Sequence, residues 1–321
     1  MKIFKKALSL VVAVTMVLSL VACGNSSSTK KITLASGGTS GTYYGFSGVV
    51  AQRLNETLKD KMKINVVSTG ASKANVQMID SGDADIAILQ NDVMSYAYNA
   101  SDMFAGTNPI TSFSAIASCY PESIQIVANK DIKSVDELRG KRVSVGDAGS
   151  GTEFNAKQIL EIYGMDMESD IVKSNQSFAD SCDSLKNGTI DAAFVTAGHP
   201  TVAVTELAAN YDFNILPIDD SHANELIQKY GFYAKVNIEK ASYKVLTSDV
   251  PTVAVMATYI ASNKLDEDTV YAFTKGLFEE KANFNHQKAE LLNLETAVSG
   301  IAIPFHKGAA KYYNENGMNV K

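Results

Sequence analysis

Ser40-Gly41-Thr42 recurs as Ser150-Gly151-Thr152, 110 residues later, in the same local setting each time. A short β-like run comes first, 32–35 in one copy and 142–145 in the other. A glycine-rich turn follows over 36–41 and 146–151, and then an amphipathic helix begins. Such a corner binds anions. Glycines let the backbone approach a ligand, and the first N–H groups of a helix have no partner within it. Two corners, one early in each half of the chain, predict two lobes that present donors to a shared cleft. Two ordinary βα turns would read alike in an α/β protein that binds nothing there.

The elements behind these corners alternate. The first half reads as βαβαβ, with helical spacing over 44–58, a strand at 64–67, a helix from Lys73 to about Ser81 stopped by Gly82, and a buried strand at 85–89. The second half repeats the order, and Asp191–Val195 answers Asp85–Leu89. A strand over 112–128, broken at Tyr120-Pro121, is expected to carry the chain between lobes, and 251–259 to bring it back. Ligands of open parallel sheets sit beyond the carboxyl ends of the strands. There stand the turns 36–42, 68–72, 90–92, 147–152 and 196–200. They nominate Gly38, Thr69, Gly149, Gly151 and Gly198 beside the hydroxyl, amide and carboxylate side chains of the same turns.

Composition narrows the function classes. Lys2, Lys5 and Lys6 precede an apolar stretch over 7–20 and Leu20-Val21-Ala22-Cys23, an export signal rather than a spanning helix. Its ending resembles a bacterial lipobox, which implies cleavage before Cys23 and lipidation of that thiol. The expected organisation is a signal over 1–22, a tether over 23–30, one lobe from 31–122 and 251–321, and a second from 123–250. The chain carries −6 net charge, so nucleic acid is not an expected partner. Cys119 and Cys182 are expected as free thiols, and the protein as a monomer.

Catalytic patterns are absent from the sequence. The four histidines show no metal spacing, and no nucleophile elbow, phosphate loop or dinucleotide fingerprint occurs. No cofactor or metal is expected. Arg53, Arg139 and Arg142 are the only arginines, none at a ligand end, so a carboxylate would fall to main-chain N–H groups and hydroxyls. Asp92 suits a ligand ammonium or a helix cap. Lys73 suits a carboxylate or solvent. Of Tyr43 and Tyr44, at most one reaches the cleft, since adjacent helical positions face apart.

In order, 39–44, 68–72 with Asn75, 90–92, 149–153, 197–200, 250–253 and 306–313 resemble the TAXI family. These are the extracytoplasmic solute receptors of tripartite ATP-independent periplasmic (TRAP) transporters. The resemblance implies a two-lobed type II periplasmic-binding-protein fold of α/β class, and a membrane permease partner driven by an ion gradient, usually sodium. It implies a small carboxylate ligand, a glutamate-like amino acid or a dicarboxylate. The contacts it implies are Thr39, Thr42, Tyr43, Ser68, Gln90, Asp92, Ser150, Thr152 and Thr196, with His199 tuning specificity. Two further readings stay open: an exported enzyme using His199 and Ser150, and a ligand-sensing lipoprotein.

Overall fold

Alternation of short buried strands with amphipathic helices gives one mixed sheet with helices on its faces. A computed structural model describes residues 29–321. The expected signal segment, Cys23 and most of the expected tether lie outside the described residues. In chain order the elements are β1 (Lys30–Ala35), α1 (Thr42–Thr57), β2 (Met62–Val67), α2 (Ser72–Ser81), β3 (Ile86–Gln90), α3 (Asn91–Asn99) and β4 (Phe113–Asn129). The second half brings β5 (Arg142–Ser144), α4 (Gly151–Ile162), β6 (Val172–Ser174), α5 (Phe178–Lys186), β7 (Ala192–Ala197) and α6 (Val202–Asn210). Next come β8 (Phe213–Leu216), α7 (Asp220–Tyr230) and β9 (Ala234–Ile238). The chain closes with β10 (Val250–Ser262), α8 (Glu267–Glu279), the short α9 (Leu294–Ala297) and α10 (Lys307–Glu315).

The sheet runs β2-β1-β3-β10-β4-β7-β5-β6, with β8 on β4 and β9 on β10. The outer triplets β2-β1-β3 and β6-β5-β7 are parallel and mirror each other in order, while β10 and β4 are antiparallel between them. Every residue of β3 and β7 is buried, as strands covered on both faces require.

β4 differs from its expectation. It is continuous through Tyr120-Pro121, and its irregularities fall earlier, where the register against β10 skips Cys119 and Ile116. Each skipped residue is a bulge that re-aims the side chains beyond it. Pro121 lies opposite Met256 without ending the pairing.

The apolar core is divided. Two clusters draw their buried residues from 32–120 and 257–313, and two from 124–255. Each large side chain fully withdrawn from water contributes about 1.5–3 kcal/mol, so each cluster stabilises its own part of the sheet. Cys119 and Cys182 are buried and unbridged, and burial pushes the Cys182 thiol up to about 12. Among the described residues no helix is long and apolar enough to cross a membrane.

The echo of Asp85 and Asp191 is a structural device. The Asp85 carboxylate accepts from Thr33 N–H at 2.8 Å, and its own N–H donates to Thr33 O at 2.9 Å. Asp191 repeats both bonds with Arg142, at 2.9 and 2.7 Å. Each carboxylate thereby ties the entry of a central strand to its parallel neighbour.

Candidate functional site

The two glycine-rich corners line one cavity, with about 40 Å³ of space open to water-sized spheres. Helix starts converge on it. Thr42, Ser72, Gly151 and Phe178 are the first residues of α1, α2, α4 and α5, and Gln90 is the N-cap of α3; all five line the cavity. Helix N-termini carry unpaired N–H groups and about half a positive charge each, so the space favours negative groups without a basic side chain.

The corners are not equivalent in detail. α1 is capped by the Gly41 backbone alone, whereas Ser150 caps α4 by accepting from Glu153 N–H at 3.1 Å. Glu153 in turn accepts from Gly149 N–H at 2.6 Å. That reciprocal cap spends Gly149's amide on the chain itself.

Of the residues nominated from sequence, Gly38, Thr42, Tyr43, Gln90, Ser150, Gly151, Thr152 and Thr196 line the cavity. Thr39, Ser68, Thr69, Asp92, Gly149 and Gly198 are not among its lining residues. Thr39 is exposed. Ser68 and Thr69 are spent on the turn, Ser68 donating to Gly37 O at 2.9 Å and Thr69 bonding Asn75 Oδ1 at 2.6 Å. Gly198 serves through its carbonyl, which accepts from Thr42 Oγ1 at 2.7 Å and so joins the two halves beside the cavity. A Cβ there would stand 2.8 Å from Lys288 Cε and 3.1 Å from Thr42 Cγ2.

Asp92 is not among the cavity's lining residues. It lies inside the first turn of α3, where its Oδ1 accepts from Val93 N–H at 2.8 Å, a contact of the helix-capping kind, and its Oδ2 accepts from Asn155 Nδ2, on α4, at 3.0 Å. Asn155 also donates to Tyr233 Oη at 2.9 Å, Tyr233 to Gln158 Oε1 at 2.6 Å, and Gln158 to Tyr96 Oη at 3.1 Å. Asp92 thus anchors a buried network between the halves, and burial raises its carboxyl to about 6.

His199 also turns from the cavity. Its Nδ1 meets Ser123 Oγ at 2.8 Å, its Nε2 meets Glu239 at 2.6 Å, and its carbonyl accepts from the buried Lys288 at 2.5 Å. Serine, histidine and carboxylate in a row suggest nucleophilic chemistry, but Ser123 is wholly buried, out of a substrate's reach. Lys73 donates to Met103 O at 3.5 Å instead of lining the cavity. Of the tyrosine pair, Tyr43 lines it and Tyr44 does not.

Sequence reasoning missed Glu122 and Phe178, both lining residues, and reached Ser72 and Asp147 only as members of the turns 68–72 and 147–152. Glu122 is buried in β4 and accepts from Tyr43 Oη at 2.5 Å. Two buried acceptors in the lining, Gln90 Oε1 and Thr196 Oγ1, have no hydrogen-bond partner among the described residues. Orphaned polar atoms facing a shared space are what a ligand would satisfy.

The sequence profile of the NMT1-like family matches residues 34–317. The chain belongs to that family. This NMT1-like chain is similar in structure to a protein of Bordetella bronchiseptica RB50, at 16% identity and a TM-score of 0.54, over 89% of this chain and 82% of that one. It is similar to the alkanesulfonate-binding protein of Xanthomonas axonopodis pv. citri bound to MOPS, at 14% and 0.51, over 88% and 83%. A TRAP periplasmic solute binding protein from Desulfovibrio salexigens, in complex with diglycerolphosphate, matches at 11% and 0.50, over 92% and 86%. The shared feature is the fold, the two-lobed α/β architecture of periplasmic binding proteins.

Proposed function

We propose that this protein is an extracytoplasmic solute receptor that captures a small carboxylate in the cavity between its halves and delivers it to a TRAP membrane permease. The observation that carries the reading is the meeting of five helix starts on one cavity whose lining holds no lysine, arginine or histidine. A carboxylate there is held by N–H groups and hydroxyls rather than by a guanidinium. Gly38, Thr42, Tyr43, Gln90, Ser150, Gly151, Thr152 and Thr196 are the contacts we assign. The ordered motifs support a TAXI receptor and the lipobox-like segment supports a membrane anchor at Cys23; we read the protein as a monomer. One lobe comprises 31–122 with 251–321 and the other 123–250. The protein binds its solute without transforming it, and the lobes close over it as a population shift.

Thermal-shift titration of the purified protein with small carboxylates tests this. A melting temperature that rises with ligand concentration is expected from at least one acid. A response to sugars or inorganic cations with none from any acid would overturn the carboxylate class.

A further inference from the structure

We propose that Lys288 is the latch of the cavity, a positioning residue outside the lining whose ammonium reaches from one half and holds the other half shut by gripping the His199 carbonyl. This rests on the reading of a solute captured between two halves, and it adds what keeps them together.

Lysine is rarely buried without a carboxylate partner. Lys288 is 8% exposed, and among the described residues its ammonium donates to one acceptor, the main-chain oxygen of His199 at 2.5 Å. The two residues belong to different halves. Lys288 lies in the turn Gln287–Leu291, which Phe284, Ala289 and Leu292 fasten to an apolar cluster of the first half. His199 follows β7 of the second half, its ring held between Ser123 and Glu239. Burial works against the charged form of Lys288, and the Glu239 carboxylate opposes that effect.

The segment from Gly198 to Ala203 is gripped three times, each time on its main chain. Besides the Lys288 bond, Thr42 Oγ1 donates to Gly198 O at 2.7 Å and Ala203 N–H donates to Ser40 O at 3.3 Å. Ser40 and Thr42 line the cavity, so this grip closes its rim. Gly198 leaves the room that the Lys288 stem crosses. A groove outside is walled by Pro200 and Val202 of one half and by His286 and Lys288 of the other. Parting of the halves returns the ammonium to water there. The hydration it regains offsets the bond it loses, so the latch is reversible, as capture and release require.

Amide-resolved hydrogen exchange of the purified protein, with no solute added, tests the latch. Ala203 is the second residue of α6, so its N–H has no partner within the helix and is protected by Ser40 of the other half. Its exchange rate follows the ratio of open to closed forms. K288E sets a carboxylate against the His199 carbonyl, and Ala203 should then exchange roughly tenfold or more faster, the equivalent of one charge-assisted hydrogen bond. The Asp85 and Asp191 amides, each bonded within its own half, should keep their wild-type rates. Unchanged exchange at Ala203 would overturn the latch. Equal acceleration of all three amides would overturn it too, since Lys288 would then stabilise the fold at large. If K288E fails to fold, K288A decides by the same comparison, with an expected acceleration of roughly threefold or more. No outcome involves a solute, so the carboxylate reading stands or falls separately in the thermal-shift titration.

Discussion

The carboxamide of Gln90 occupies the space that a side chain on Gly151 would need: a Cβ built there stands 2.5 Å from Gln90 Cδ. Gln90 ends a strand of the first half and Gly151 starts a helix of the second, so this contact measures how closely the halves approach.

Gly151→Ala therefore opposes closure rather than folding. Overpacking of this kind costs about 1–3 kcal/mol, which converts to roughly 5- to 150-fold in affinity if the closed form alone holds ligand. Calorimetry with any ligand that responds should record that loss at an unchanged far-ultraviolet circular dichroism spectrum. Gln90→Ala in the same chain makes room for the new methyl, and the double-mutant cycle should show coupling of similar size. Unaltered affinity in Gly151→Ala would mean that the halves need not approach this closely to bind.

Asp92 gives the protein a calculable response to pH. Burial raises its carboxyl from 3.8 to about 6. Between those values the folded chain binds more protons at this site than the unfolded chain, so stability from this group falls as pH rises. It is greatest below about pH 4 and fully lost above about pH 6. The shift corresponds to about 3 kcal/mol. Asp92→Asn removes the slope. Denaturant melts at pH 4 and pH 8 should show the difference between variant and wild type moving in the variant's favour by about 1–3 kcal/mol on going to pH 8. A pH-independent difference would mean that Asp92 titrates normally.

The paired aspartates make a contrasting prediction. Asp85→Ala and Asp191→Ala each remove the acceptor of a strand-entry N–H, a loss of about 1–2 kcal/mol and a few degrees in Tm. Asp85 precedes β3, and the cavity begins at Gln90, five residues on, which is roughly 16 Å along a strand. Ligand affinity should stay within about twofold of wild type in Asp85→Ala, since no bond to the cavity is lost. A fall in affinity larger than the fall in stability would assign the echo a binding role.

What the chain discloses before folding follows the range of the forces involved. The two corners were legible because glycine, serine and threonine act on their own few residues, and α1 and α4 begin within two residues of their expected starts. Gly82, with φ of 87°, ends α2 where a left-handed residue was called for. Eight of the nominated residues line one cavity for the same reason: the turns that hold them sit together at strand ends. Glu122 was not legible. It lies in a 17-residue strand whose direction depends on bulges at Ile116 and Cys119, and those appear only in the pairing with β10, more than 130 residues away. Phe178 carries no polar signal at the start of its helix. The second partner of Asp92 was not legible either, because Asn155 lies 63 residues off in the other half.

Ala71 offers the last test, since it holds a conformation that suits glycine. Its φ of 65° and ψ of −143° put an alanine in a region that costs about 1–3 kcal/mol for a side-chain-bearing residue. The strained residue is the N-cap of α2 and lines the cavity beside Ser72. Ala71→Gly relieves the strain but loosens the unfolded chain by about 0.5–1 kcal/mol, so the net gain should be about 1 kcal/mol in a denaturant melt. If the strain fixes the angle at which α2 presents its first N–H groups, ligand affinity should drop while stability rises. Opposite movement of the two quantities would identify Ala71 as a positioning residue. A less stable glycine variant would show that the turn is unstrained and that the Ala71 methyl, packed near Gly37, contributes more than the backbone costs.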